Sequence, residues 1–200
     1  SLENRFKAKL DNGEFHVLVE LPVPSADTPM ADAVRKCADF EYLIHSQESP
    51  GASIAFVDES APGYAIDMVH FATELCRFER DRHLLYLRGV DAPVDETVRI
   101  LRHGMSEGFK NFCIVSGSVR NETEEDARRR VFAESVCTLD ALRGDPIPSV
   151  LTGAVPNPFQ YAPGAAYAQY YKTMRKIHCG ASFLVSQFGW DMLKLQELRW

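Results

Sequence analysis

The sequence has no uninterrupted apolar stretch approaching the roughly 20 residues that a membrane-spanning helix requires. Its N-terminus also lacks the basic, apolar and small-residue pattern of a secretory signal. There is no long run of basic residues, and the net charge of −6 does not favour binding to phosphates of a nucleic acid. We therefore expect a cytoplasmic protein that binds neither a membrane nor nucleic acid.

The cysteines and histidines lack the spacing of a metal or redox motif. Five cysteines are dispersed along 200 residues with no Cys-x-x-Cys pair. The chain also has no Gly-x-Gly-x-x-Gly, P-loop or Gly-x-Ser-x-Gly motif. We expect reduced thiols, no bound metal, and neither nucleotide binding nor acyl transfer by those familiar motifs.

Short runs rich in β-branched and aromatic residues recur along the chain, as in strands that are buried on both faces. Stretches with helical spacing lie between them, for example at residues 64–76 and 94–107. This alternation predicts repeated βα units and an α/β fold with a parallel sheet. The predicted strands are residues 15–21, 53–57, 83–87, 112–116, 149–154 and 182–187.

The spacing of these strands predicts a (β/α)8 barrel of the TIM type. Successive strands begin about 33 residues apart, so eight units would need roughly 265 residues, near the typical length of about 250 for this barrel. Six units are visible in the 200 residues. We therefore expect a single barrel domain over residues 1–200 that is incomplete at its C-terminus and lacks the last two βα units. An open doubly wound sheet is the alternative.

In such a barrel the active site lies at the carboxyl ends of the strands. Glu20 follows the apolar end of the first strand, where a carboxylate is costly to bury unless it is paired, protonated or used in catalysis. A protonated carboxyl group at the mouth of a pocket is what a general acid requires. The alternative is a glutamate in an exposed loop, neutralised by a Lys or Arg side chain.

Other candidates lie at the ends of later strands. Gln187 can both donate and accept hydrogen bonds, which suits the edge of a heterocycle, although capping a strand end is the alternative. The turn Ser116-Gly117-Ser118 offers backbone N–H groups to a phosphate or a flat ring, but such a tripeptide is common in loops. His83 opens the third strand, where it could bind a ligand near the barrel rim.

The segment KIHCGASFLVSQFGWD at residues 176–191 carries the most specific resemblance to a known family. It is similar to the pattern of Lys, then Ala-Gly-Ala, then Thr-Gln-Phe-Phe in the methylenetetrahydrofolate reductases, which are flavin-dependent (β/α) barrels. The resemblance extends over about residues 15–191. It implies that Gln187 contacts the folate and that Lys176 lies along the flavin phosphates.

Three further segments resemble the same family. VELPVPS resembles a Glu-Phe-Phe-Pro-Pro segment, which implies that Glu20 is the general acid. HLLYL resembles a His-Leu-Thr-Cys segment, which implies that His83 contacts the flavin. EGFKNFCIVSGS resembles a stretch that leads to Ala-Leu-Arg-Gly-Asp, so that Ser116, Gly117 and Ser118 stand where the family has Arg-Gly-Asp.

The remaining site residues follow from the same resemblance. Ser116, Gly117, Ser118 and Ala154 are expected beside the flavin, and Ser118 also beside the substrate, where a neutral hydroxyl replaces the aspartate of the family. A literal Ala-Leu-Arg-Gly-Asp-Pro occurs at residues 141–146. Taken as the fourth strand, it would leave too few residues before the fifth strand for a crossover of about a dozen or more, so we interpret Arg143-Gly144-Asp145 as a loop.

The resemblance implies an FAD-dependent oxidoreductase of one-carbon metabolism that reduces methylenetetrahydrofolate, or a related folate, to the methyl form. Reduced flavin would deliver hydride to the methylene carbon while Glu20 protonates the pterin nitrogen. The electron donor, NAD(P)H or a reductant protein, stays open, and we expect a homo-oligomer. The alternatives are a pterin- or folate-binding barrel without reductase activity, such as a non-catalytic subunit, and a tetrahydrofolate-dependent methyltransferase.

Overall fold

The structure is a computed structural model that describes residues 4–45, 52–59, 65–90, 92–117, 125 and 133–199. The described strands form one six-stranded sheet in which every neighbouring pair is parallel. The strands are β1 (Leu18–Pro22), β2 (Ser53–Val57), β3 (Leu84–Arg88), β4 (Asn111–Val115), β5 (Leu151–Ala154) and β6 (Phe183–Leu184).

The order of the strands in the sheet follows their order in the chain, from β1 to β6. A doubly wound sheet reverses its strand order at a switch point, so this alternative is excluded for the described sheet. The sheet instead curls, as in part of a TIM-type barrel, with β1 and β6 as its two edges. A complete eight-stranded barrel is not formed by the described residues.

Helices lie between the strands, and the helix Val94–Ser106, which is α4 in chain order, illustrates why they form. It begins after Pro93, has Asp95 and Glu96 in its first turn, and buries Thr97, Leu101 and Gly104, which are spaced three and four residues apart. None of the described helices is long and apolar enough to cross a membrane. The described α-helices of more than one turn are α1 (Arg5–Asp11), α2 (Met30–His45), α3 (Met68–Leu75), α4 (Val94–Ser106), α5 (Ser135–Gly144), α6 (Pro163–His178) and α7 (Met192–Glu197), and a 3₁₀ helix spans Arg80–Arg82.

The bounds of several elements differ from the sequence predictions. β5 begins at Leu151, two residues late, and Ser149 in the preceding turn has a left-handed φ of 69°. β6 ends at Leu184, so Gln187 lies in the loop after it and does not end a strand. The expected loop at Arg143-Gly144-Asp145 is wrong in part, because Arg143 and Gly144 belong to the last turn of α5 and only Asp145 follows the helix.

Side chains alternate along the strands and divide the core into two parts. Ile54 and Phe56 of β2 face the helices and pack with residues such as Phe71 and Leu101. Ala55, between them, faces the other side of the sheet and packs with Leu84, Cys113, Tyr86 and Phe183. We call this second side the concave face.

Helix α1, which the sequence pattern does not predict, covers the amino end of the sheet. Phe6 is only 2% exposed, and its ring packs edge-on against His16 at 5.4 Å and Phe183 at 5.3 Å between ring centroids. The Asn4 side chain donates a hydrogen bond to the Asn111 side chain at the start of β4. The carboxyl end of the sheet is therefore the open end.

Candidate functional site

A cavity of about 320 Å³ opens over the carboxyl ends of β2 and β3. This volume lies at the lower end of the range of about 300–1,000 Å³ for small-molecule sites, so the cavity suits one ring system. Asp58, Asp67, Tyr86, Arg88 and Thr97 supply its polar groups. The apolar part of the lining is Ala65, Ile66, Met68, Val69, Leu87, Val90, Ala92 and Ile100.

Asp58 and Arg88 form an ion pair in the wall of this cavity. The Arg88 Nη2 lies 2.9 Å from the Asp58 Oδ2, and the side chains are only 13% and 21% exposed, respectively. Both residues lie at strand ends, Arg88 as the last residue of β3 and Asp58 directly after β2. In a largely buried ion pair, the attraction between the charges offsets the cost of removing each charge from water. The pairing therefore fixes both side chains at the cavity.

Gly117 supports this pair from the end of β4. It has a φ of 81°, and a Cβ atom at this position would lie 2.7 Å from the Val90 Cγ2 and 3.2 Å from the Arg88 Cβ. Glycine therefore permits both the turn and the close approach to the end of β3. The structure gives Gly117 a packing role beside the cavity, whereas the predicted flavin contact stays a prediction.

Glu20 lies on the concave face of β1, because its register partner is Ala55 of the concave cluster. Of the two alternatives for Glu20, the structure shows the exposed one: its side chain is exposed, since β1 is an edge of the described sheet. Tyr86 shares the concave face. Burial, with smaller effects from Cys113 and Glu20, raises the pKa of Tyr86 well above its ordinary value. The phenol therefore stays protonated and can donate a hydrogen bond.

Gln187 lies at the edge of the sheet opposite β1, in the loop after β6. Its backbone N–H donates to the Pro156 carbonyl at 2.9 Å, and its side chain is exposed. Phe188 and Trp190 beside it are 82% and 83% exposed and form an edge-to-face pair with ring centroids 5.1 Å apart. Glu20 and Gln187 thus lie at opposite edges of the described sheet, neither lines the 320 Å³ cavity, and their convergence on one ligand stays a prediction.

His83 and Ala154 do not face the candidate site. His83 is completely buried and precedes β3 at the amino end of the sheet, where its Nδ1 accepts a hydrogen bond of 3.0 Å from the Ile54 N–H. Ala154 is completely buried and packs in the core between the sheet and the helices. This placement does not bring them to the cavity, and their contacts with a flavin stay predictions.

Ser116 and Lys176 have partners that fix them in the fold. The Ser116 Oγ accepts from the Ser135 N–H and donates to the Glu134 carboxylate, each at 3.0 Å, and thus caps α5. The Lys176 Nζ donates to the Val155 carbonyl at 2.7 Å, and burial lowers the pKa of Lys176. Ser118 lies outside the described residues.

The residues expected to hold FAD therefore do not fit it as a set. His83 is at the amino end, Ala154 faces the helices, and the Ser116 hydroxyl caps a helix. Among the described residues there is also no group of three or more His, Cys, Asp or Glu side chains that could hold a metal ion.

Sequence reasoning did not select Asp58, Tyr86 and Arg88 as site residues. Alternation along β3 places Leu84, Tyr86 and Arg88 on one face, and this could have been read from the run of residues 84–88. The partnership with Asp58 joins two strand ends that are 30 positions apart. No spacing motif in the sequence indicates that partnership.

Comparison with known proteins defines the class of fold. No protein-family model matches the sequence, and no curated protein matches it. An uncharacterised protein from Clostridium thermocellum that binds two copies of 5-methyl-5,6,7,8-tetrahydrofolic acid is similar over 96% of the chain, with a TM-score of 0.66 and 16% identity. A structure described as a candidate dihydrodipicolinate synthetase from Pseudomonas aeruginosa is similar over 92%, with a TM-score of 0.57 and 12% identity.

These comparisons support the fold and leave the family unassigned. The chain spans 61% and 59% of the lengths of these two proteins. At such low identity the likeness concerns the fold alone. The chain is therefore an α/β protein with part of a TIM-type barrel, and its likeness to methylenetetrahydrofolate reductases stays a resemblance.

Proposed function

We propose that the chain binds a folate-type ligand, with the pterin ring in the cavity over β2 and β3. The observation that carries the proposal is the cavity itself, which combines a largely buried Asp58–Arg88 pair with apolar walls and has room for about one ring system. It lies at the carboxyl ends of parallel strands, where barrels of this type bind their ligands. The structural neighbour that binds 5-methyltetrahydrofolic acid supports the choice of ligand class.

Titration calorimetry with 5-methyltetrahydrofolate tests this function. We expect saturable binding. We expect Ala92→Leu, which enlarges a side chain in the cavity lining, to weaken binding at least about tenfold. Ala141→Leu makes the same change at an exposed position of α5 outside the cavity and should bind as the wild type does. Absence of binding by the wild-type protein at millimolar ligand would overturn the proposal.

Flavin-dependent reduction of a methylene folate is the second candidate. It is favoured by the accessible Glu20 carboxylate, which lies on the same concave face as the protonated Tyr86 phenol. We rank it second because His83, Ser116 and Ala154 do not form a flavin site. A yellow protein with absorbance near roughly 450 nm would support the reductase. A preparation that stays colourless after incubation with FAD would support a folate-binding protein without reductase activity. Methyl transfer without an electron donor would indicate a methyltransferase.

A further inference from the structure

We propose that the Asp58–Arg88 pair recognises the edge of the bound ring, with Asp58 accepting from two adjacent N–H groups and Arg88 donating to the neighbouring carbonyl oxygen. The ligand class is a 2-amino-4-oxo-pyrimidine ring, which presents an amino group, a ring N–H and a carbonyl oxygen in a row. This inference rests on the proposed function and adds to it the residues that select the ring.

The geometry of the pair matches such a row of donors and an acceptor. A carboxylate has about four acceptor sites and a guanidinium has five N–H donors, so the bond between them uses only part of the hydrogen-bonding capacity of each group. The Arg88 Nη2 lies 2.9 Å from the Asp58 Oδ2. An acceptor group and a donor group therefore lie side by side in the cavity wall, as planar, bidentate recognition requires.

Burial makes this pair more selective than a surface ion pair. The side chains of Asp58 and Arg88 are 21% and 13% exposed, so a mismatched ring edge would leave a desolvated charge without its hydrogen bond. Ile66, Met68 and Ile100 belong to the apolar lining, which provides contact surface for the flat faces of a ring.

Asp67 is the other carboxylate in the lining, and its position favours Asp58 for this role. The Asp67 Oδ1 accepts a hydrogen bond of 2.8 Å from the His70 N–H, so its side chain caps α3. Asp58 pairs with the Arg88 guanidinium, so that an acceptor and a donor lie side by side at the cavity. The pair, and not the capping carboxylate, is therefore assigned to the ligand.

Two small ring ligands test the inference on the wild-type protein. 6-Methylpterin carries the 2-amino group, whereas 6-methyllumazine has an oxygen acceptor in its place. Because that acceptor would face the Asp58 carboxylate, we expect the wild-type protein to prefer 6-methylpterin by about tenfold or more. Equal affinities would overturn the inference without any variant.

Asp58→Asn provides the second arm of the test. An amide can donate to the lumazine oxygen but loses one acceptor for the pterin, so the preference for 6-methylpterin should fall by about tenfold or more. A pair that only ties β2 to β3 would change both affinities alike and leave their ratio unaltered. Asp145→Asn, which breaks the exposed Arg102–Asp145 pair, is the matched control and should keep the wild-type ratio.

The outcomes separate this inference from the proposed function. If the wild-type protein binds neither 5-methyltetrahydrofolate nor 6-methylpterin, the proposed function fails. If it binds both and Asp58→Asn keeps the wild-type ratio, only the assignment of Asp58 and Arg88 fails.

Should Asp58→Asn unfold, as circular dichroism would reveal, Arg88→Lys replaces it in the test, because lysine keeps the charge and loses the planar donor fork. We then expect a loss of 6-methylpterin affinity of about tenfold with p-aminobenzoylglutamate affinity unchanged, and equal losses for both ligands would count against the pair.

Discussion

Gly153 of β5 lies against the ring of Phe183, its register partner in β6. A Cβ atom at position 153 would lie 2.3 Å from both the Cε2 and the Cζ of that ring. The Phe183 ring in turn meets Phe6 of α1, with ring centroids 5.3 Å apart. Glycine at this strand position therefore lets one aromatic side chain fill the concave face and connect α1 with the last described strand.

Gly153→Ala should destabilise the fold by about 1–3 kcal/mol, because the added methyl group must displace the Phe183 ring. In a strand without such a contact, the same change would be neutral or mildly stabilising. The sign of the change in unfolding free energy in urea therefore tests the contact. Gly164→Ala, in the first turn of α6 where a Cβ meets nothing within 4 Å, is the control and should not destabilise. Equal effects of the two variants would contradict the packing.

His16 should make stability fall as the pH falls from about 6.5 to 4. Burial, and then the charges of Lys9 and Arg82, lower the pKa of His16 from 6.5 to about 4 in the folded protein. Between these values the unfolded chain binds a proton that the folded chain does not, so the contribution is complete above pH 6.5 and is lost as the pH falls toward 4.

The comparison of the wild type with His16→Gln isolates this effect from carboxylate titration. Glutamine does not titrate, and its amide can replace the bond of 2.9 Å between the His16 ring and the Ser53 hydroxyl. Urea midpoints at pH 7 and pH 5 should therefore differ more for the wild type than for the variant. The same pH dependence in both proteins would show that His16 does not titrate as described.

The fold could be predicted because buried parallel strands are continuous apolar runs. All five residues of β2 are buried, and its predicted and observed bounds agree. Helix α1 was not predicted, because Phe6 is its single buried residue and the helix has no repeating apolar face. β6 has only two residues, and alternation over so short an element does not fix where it ends.

The site could be predicted only as a region, because the direction of a side chain depends on one residue of register. Ala154 ends β5 as expected, but side chains alternate along the strand, and Ala154 points into the core between the sheet and the helices. His83 adjoins the correct strand at the wrong end. The Asp58–Arg88 pair forms only when β2 and β3 come together, so neither residue indicates it alone.

Thiol reactivity should separate Cys137 from the buried cysteines. Burial raises the pKa of both Cys76 and Cys113 to about 12, so roughly one thiol in ten thousand is ionised at pH 8. Cys137 is exposed on α5, Cys179 is buried, and Cys37 is half-buried with its pKa raised by burial. We expect one fast thiol in a reaction with Ellman's reagent, and all five after unfolding in urea. Cys137→Ser should remove the fast phase, and a fast phase that survives this change would contradict the described burial.

Glu20→Gln tests whether Glu20 on the concave face acts as a general acid. The change keeps the size of the side chain and removes its transferable proton, and a positioned general acid typically contributes about 10²–10⁴-fold to a rate. If the second candidate function holds, the rate of methylene folate reduction should fall by about that factor. The affinities for flavin and for 5-methyltetrahydrofolate should stay within about twofold, since Glu20 does not line the cavity. Glu14→Gln, at an exposed position before β1, is the control. An unchanged reduction rate in Glu20→Gln would remove Glu20 from the chemistry, and the absence of any reduction by the wild type would leave the chain a folate-binding protein.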